Sequence, residues 1–260
     1  MTAQAGIKRL FSVFESFGAY AIFFKETIVW TFRPPFDGKN VINQMLEIGV
    51  RSTPVTAITL FFTGMVIALQ IGKAMDSLMS GSSQFIGSAV TIAMFRELCP
   101  VMTALLLAGR VGSSIAAEIG TMQVTEQIDA LRTLRANPIQ YLSVPRFLAC
   151  LVMVPVLTVI TDLMGVLGGA FIAFTSLGIT PEKYFENIVQ YVEIGSFISG
   201  IVKSVFFGVL IAVISCCCGF RTSGGAEGVG KSTIAAVVLS SMAVLVSDYF
   251  LTYIFVLLDI

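Results

Sequence analysis

Residues Arg96 to Arg146 read RELCPVMTALLLAGRVGSSIAAEIGTMQVTEQIDALRTLRANPIQYLSVPR, and this stretch decides how the rest of the chain is understood. It opens with an Arg-Glu-Leu-Cys-Pro break inside an apolar run and passes through the small-residue string Ala108-Gly109-Arg110-Val111-Gly112-Ser113-Ser114. It closes with a helix-patterned polar segment ended by Asn137-Pro138. Nowhere else does a long polar block lie between two membrane-length apolar runs. The stretch therefore reads as the part that meets a partner in water, and the remainder as a membrane body which that partner drives.

The 260 residues are 56% hydrophobic and only 12% charged, with a mean hydropathy of +0.90. Soluble domains carry about 25% charged residues, so the composition predicts a polytopic membrane protein. The 16 basic and 16 acidic residues cancel, which leaves no basic field for nucleic acid. Histidine is absent. That removes the commonest metal ligand and the usual proton shuttle, so no catalytic residue, metal or cofactor is expected. Cys99 and Cys150 are isolated, and Cys216-Cys217-Cys218 lack the gap that lets two thiolates share a tetrahedral metal. All five read as small packing residues.

The predicted fold is all-α: an N-terminal amphipathic interfacial helix followed by five transmembrane helices and a cytoplasmic coupling helix. Residues 1–52 form the amphipathic region. Ile7, Leu10, Phe11, Phe14, Phe17, Ala21, Phe24 and Ile28 recur at steps of three and four, with Trp30 and Phe32 as headgroup-level anchors. The same periodicity also suits a helix packed across the bundle. A signal peptide would need an unbroken apolar centre and a cleavage site, and neither is seen. Residues 53–260 form the membrane domain, with spans at about 54–72, 85–109, 147–174, 194–220 and 234–258. Lys73 to Ser83 reads as a short loop on the far side, and Thr180-Pro181-Glu182 starts a short helix outside the bilayer.

Charges inside spans are expensive and mark function or a buried network. Arg96, Glu97, Lys203 and Asp248 are such charges, and Lys203 and Asp248 can pair. Pro100 removes the hydrogen bond to the Arg96 carbonyl, which predicts a kink or unwinding there. Gly165 and Gly169 admit another helix closely, as a packing or dimer contact. Segment 110–146 is expected to be cytoplasmic, its helix running from Glu126 to Ala136. Thr125 is its expected cap, and Asn137-Pro138 its stop. The acidic Glu126 and Asp129 come early and the basic Arg132 and Arg135 late, which suits the helix dipole.

With the first span leading outward, the cytoplasmic segments hold Lys8, Arg9, Lys25, Arg33, Lys39, Arg51, Arg110, Arg132, Arg135, Arg146, Arg221 and Lys231. That bias sets the N terminus inside and the C terminus outside. The octapeptide Gly225 to Ser232 satisfies the phosphate-loop pattern G-x-x-x-x-G-K-S. A phosphate loop needs a buried strand before it and a soluble helix after it. Membrane-length runs stand there instead, so the stretch is expected to be a flexible Gly-rich loop.

The motifs Glu97-Leu98-Cys99-Pro100-Val101, Ala108-Gly109-Arg110-Val111-Gly112, Ala117 to Met122, Val124 to Leu131, Asn137-Pro138 and Val144-Pro145-Arg146 closely resemble the MlaE/YrbE family of ABC-transporter permeases. Gly224-Gly225 with Gly228-Val229-Gly230 extend the match, as do Lys203 and Asp248, and Cys99 departs from a usual glycine. The resemblance implies the homodimeric permease of a phospholipid transporter in a bacterial inner membrane. Its implied partners are two cytoplasmic ATPase subunits, a STAS-domain regulator and a periplasmic ring of MCE-domain proteins. In that frame Glu118, Glu126, Gln127, Ile128, Asp129, Leu131 and Arg132 couple to the ATPase. Met65, Leu69, Met75, Leu78 and Met79 offer flexible side chains for a lipid cavity. The competing class is a secondary transporter or channel with an ion path along Arg96, Glu97, Asp162, Lys203 and Asp248.

Overall fold

The computed structural model describes residues 18–34, 37–78 and 85–258. Among these every regular element is helical. Helix α1 covers residues 18–31, and α2 is Gly38–Met45, capped by the Asp37 carboxylate accepting from the Asn40 amide. The first span is α3, Thr53–Leu78. The second is a jointed rod of α4 (Ile86–Ala93), α5 (Cys99–Leu107) and α6 (Ser113–Val124), with π turns at Met94–Leu98 and Ala108–Gly112. The short α7, Gln127–Thr133, then leads through the π turn Ile139–Ser143 into α8, Val144–Thr175. Helix α9, Pro181–Tyr191, lies between α8 and the last two spans, α10 (Ile194–Phe220) and α11 (Gly225–Leu257).

Among the described residues five helices are long and apolar enough to cross a membrane, and the chain is a multi-pass membrane protein. Several boundaries differ from those expected. The first span does not end at Gly72: it continues through Lys73 as helix to Leu78, because Lys73, Ala74 and Met75 are as compatible with helix as with loop. The second runs on as helix to Val124, so half of the polar block is the end of a membrane helix. The expected Gly-rich loop at 225–232 is instead the start of α11. Only a tight turn precedes it, made possible by positive φ at Gly224 (90°) and Gly225 (67°).

Helix α1 packs across the bundle end. Phe23 stacks at 5.7 Å on Phe220 and Phe24 at 6.5 Å on Phe147. Thr27 is buried and Gln140 donates to the Arg33 carbonyl at 2.8 Å. Trp30 lies beneath the Arg33 guanidinium and Phe32 is exposed. The N-terminal part of the expected stripe, up to Phe17, is outside the described residues.

Among the described residues two large apolar clusters form most of the interior, beside a small one of Ala116, Cys218 and Ala236. One gathers Leu107, Ile115, Ile128, Leu142, Phe147, Phe207 and Ile211 toward the α7 end. The other gathers Leu60, Ala68, Ile86, Val90, Met94 and Tyr184 toward the α9 end. Helices α3 and α8 join them through backbone contact at glycine. A Cβ at Gly64 would strike the Gly165 carbonyl, and one at Gly168 would strike the Phe61 carbonyl. Gly165 itself faces Met94, and Gly169 faces Tyr184 and Val90. The glycines of α8 therefore serve packing within the chain. Gly168→Leu should separate α3 from α8, at a cost of about 1–3 kcal/mol or more, seen as a lower melting temperature in detergent. Gly109→Ala, where an added methyl meets nothing, should leave that temperature unchanged or slightly raised.

Candidate functional site

Pro100 has no N–H, so the Arg96 carbonyl one turn before it lacks its α-helical donor. The chain widens there into the π turn Met94–Leu98, a distortion frequent at functional sites. Helix α10 meets that turn at Gly200, where a Cβ would strike the Phe95 carbonyl and sit 3.2 Å from Pro100. One turn further along α10, Lys203 Nζ donates to the Arg96 carbonyl at 2.9 Å.

The same ammonium donates to Thr252 Oγ1 at 2.7 Å and stands 2.9 Å from Glu97 Oε1 and 3.0 Å from Asp248 Oδ1. The Asp248 contact is an ion pair at 3.0 Å. Thr252 in turn donates to Glu97 Oε1 at 3.1 Å. The Lys203 side chain is 2% exposed, against 19% for Asp248 and 42% for Glu97. Arg96 is half-buried on the same π turn. Lys203 and Asp248, which the sequence allowed to pair, thus form one cluster with Glu97 that ties the second span to α10 and α11. Asp162 is elsewhere, buried in α8 beside Cys99. Thr252 and Gly200 escaped the sequence reading: neither is charged, and their roles depend on which helices meet.

At the opposite end of the second span, α7 is shorter than expected. Thr125 does not cap it, since its hydroxyl donates back to the Thr121 carbonyl at 2.8 Å. Glu126 takes the capping position with φ 61°. The helix stops before Asn137-Pro138. Arg135, at φ 59°, donates its amide to the Arg132 carbonyl, and Ala136 donates to the Leu131 carbonyl. These two bonds make the reverse turn that ends many helices. Asn137 Oδ1 instead accepts from the Ile139 amide at 2.9 Å and starts the next segment.

Ile128 is fully buried and Leu131 packs on the same cluster, whereas Leu134 is 76% exposed. Gln127, Asp129 and Arg132 face outward, the last two paired at 3.0 Å. The loop is braced from beneath by Arg146, buried in α8, which donates to Glu118 Oε2 at 2.7 Å and to the Leu142 carbonyl at 2.8 Å. Ser114 steadies the other Glu118 oxygen at 3.2 Å. The result is a polar knob on a neck braced by the Glu118–Arg146 pair.

Met65, Leu69 and Met75 are half-buried against the Leu60–Tyr184 cluster. The open face of α3 is instead Val55, Ile58, Phe62 and Val66. The Leu78 side chain and Met79 are outside the described residues. The phosphate-loop octapeptide is helical throughout, with Lys231 paired to Glu227 at 2.7 Å in solvent and Ser232 bonded to Thr222. Its amides run along the helix instead of converging on an anion. All five cysteines are buried and free, and no group of metal-ligating side chains occurs among the described residues.

The family model described as Permease MlaE matches residues 41–254. The chain belongs to the MlaE permease family. A relative in Rickettsia bellii, named a "Probable ABC transporter permease protein", is 43% identical over 248 residues, which is 95% of both chains. One of the same description in Synechocystis is 42% identical over 83% of this chain and 81% of its own. An Arabidopsis thaliana chloroplast protein named TRIGALACTOSYLDIACYLGLYCEROL 1 is 38% identical over 84% of this chain and 61% of its own. An MlaE permease is the membrane subunit of an ABC transporter and works with an ATP-binding component.

Removing one member of a buried ion cluster strands the others. Lys203→Met should cost about 3–5 kcal/mol, measured by melting in detergent. Adding Glu97→Gln and Asp248→Asn to it should recover a large part of that loss, because neither carboxylate is then left facing an absent ammonium.

Proposed function

We propose that this permease moves phospholipid between the inner and outer membranes of a diderm bacterium, maintaining outer-membrane lipid asymmetry, powered by a separate ATPase seated on α7. The observation that carries the reading is the knob itself: exposed Gln127, Asp129 and Arg132 on a short helix whose buried Ile128 and braced Glu118–Arg146 neck lead directly into two membrane spans. A lipid cargo is supported by the chloroplast relative, whose name contains a galactosylated diacylglycerol. It is supported also by the apolar surface left open on α11, which buries only Ala236, Ser240 and Val244.

A second copy of the chain against such a face would enclose an apolar vestibule wide enough for acyl chains. The half-buried Met65, Leu69 and Met75 would stand near its outer end, below a periplasmic MCE-domain ring. The α7 end faces the cytosol in this reading, with the ATPase pair and STAS-domain regulator against it. Five spans then carry the C terminus to the periplasm. The Lys203–Glu97–Asp248 cluster holds the second span, α10 and α11 as one body, so displacement of α7 moves all three together.

Photo-cross-linkers at Asp129 or Arg132 should capture a nucleotide-hydrolysing subunit in intact cells. Arg132→Glu should lower ATP-driven phospholipid transfer in proteoliposomes by about tenfold, the equivalent of 1.4 kcal/mol of lost docking, without altering thermal stability. Cross-links to lipid alone, or labelling of these positions from the outer side only, would overturn the reading.

A further inference from the structure

We infer that the cleft between α1, α2 and the α7–α8 junction binds one anionic glycerophospholipid, of the phosphatidylglycerol class, as a resident of the permease. The inference does not rest on the cargo being lipid, because the cleft is built from α1, α2 and the α7–α8 junction and includes no residue of the charge cluster.

The cleft holds about 800 Å³, within the usual range for ligand sites. A second hollow of about 600 Å³ adjoins it and shares Trp30, Arg135, Ala136 and Asn137. Its polar rim carries two cations and one anion: Arg33, Arg135 and Asp37. Asp37 is engaged in capping α2. Neither guanidinium has a carboxylate partner among the described residues, and Arg33 is spread over the Trp30 ring at 5.1 Å. The Arg33 backbone is pinned by Gln140, and Arg135 is fixed in the left-handed turn that closes α7. The rim thus has a net charge of +1, the complement of one phosphodiester, and guanidinium is the side chain best shaped to grip it.

The floor below that rim is apolar, made by Val41, Val144, Pro145 and Leu148. It continues without a polar break along two lipid-facing stripes. Ile42, Leu46 and Val50 descend one side, and Val152, Val156 and Val159 on α8 descend the other, all exposed. Leu148 and Val152 are one helical turn apart, so the cleft opens sideways onto the stripe. A free phosphate would use the rim and leave the floor empty, whereas a phospholipid fills both. Trp30 at the rim matches the depth at which indole rings sit in bilayers, and basic pockets between membrane helices are recognised headgroup sites.

The test is native mass spectrometry of the full-length chain purified in mild detergent, offered phosphatidylglycerol or phosphatidylethanolamine with identical acyl chains. Phosphatidylglycerol should be retained at one per chain and at least about tenfold better than phosphatidylethanolamine. The Arg33→Gln/Arg135→Gln variant should lose about tenfold of that retention, as expected for deleting charge-assisted hydrogen bonds. Asp37→Asn, which preserves a capping side chain, should shift retention the other way and so guards against misfolding as the cause. Equal retention by the double variant, equal retention of phosphatidylethanolamine, or displacement of the lipid by glycerol phosphate would each overturn the assignment.

Discussion

Within a hydrocarbon layer every backbone carbonyl must find a donor inside the protein, and Pro100 denies one to Arg96. Much of the membrane domain answers that constraint. The helix widens into a π turn, and α10 approaches at Gly200 where no side chain intervenes. Lys203 then supplies the missing proton donor. An ammonium brought into an apolar interior must itself be compensated, and Glu97, Asp248 and Thr252 surround it from two different helices. The ion cluster is thus the consequence of a proline at membrane depth, and it converts a local backbone defect into a three-helix junction.

The five apolar runs, the all-helical class and the protruding polar helix were legible in composition and periodicity. A membrane span needs only a sufficient length of apolar residues, and the chain states that directly. The ends were misjudged where sequence is ambivalent. Lys73 and Gly225–Ser232 are polar or small enough for loop, yet each continues a helix whose neighbours already supply its backbone hydrogen bonds. Thr125 looked like a cap because threonine often is one; here its hydroxyl is taken by the preceding turn.

Charges inside spans marked Lys203, Glu97 and Asp248 before any geometry was known, because their expense demands partners. Which partners they take is a tertiary fact. Nothing local distinguishes Thr252 from the other threonines of the chain, or Gly200 from glycines that face open space such as Gly109. Met65, Leu69 and Met75 illustrate the converse difficulty: a flexible apolar side chain suits a cavity wall and a packed cluster equally, and only helix placement separates the two.

The ion cluster and α7 lie on one continuous stretch of chain. From Glu97 to Val124 the second span rises about 40 Å as helix, with a single further joint at the π turn Ala108–Gly112. That joint is not loose. Arg110 donates to the Ser52 hydroxyl, which itself donates to the Ile48 carbonyl at the entry to α3. Below the joint, Arg146 ties α6 to α8 through Glu118. These contacts tie the lower part of the second span to α8 and to the start of α3, so bending it alone would break a charge-assisted bond.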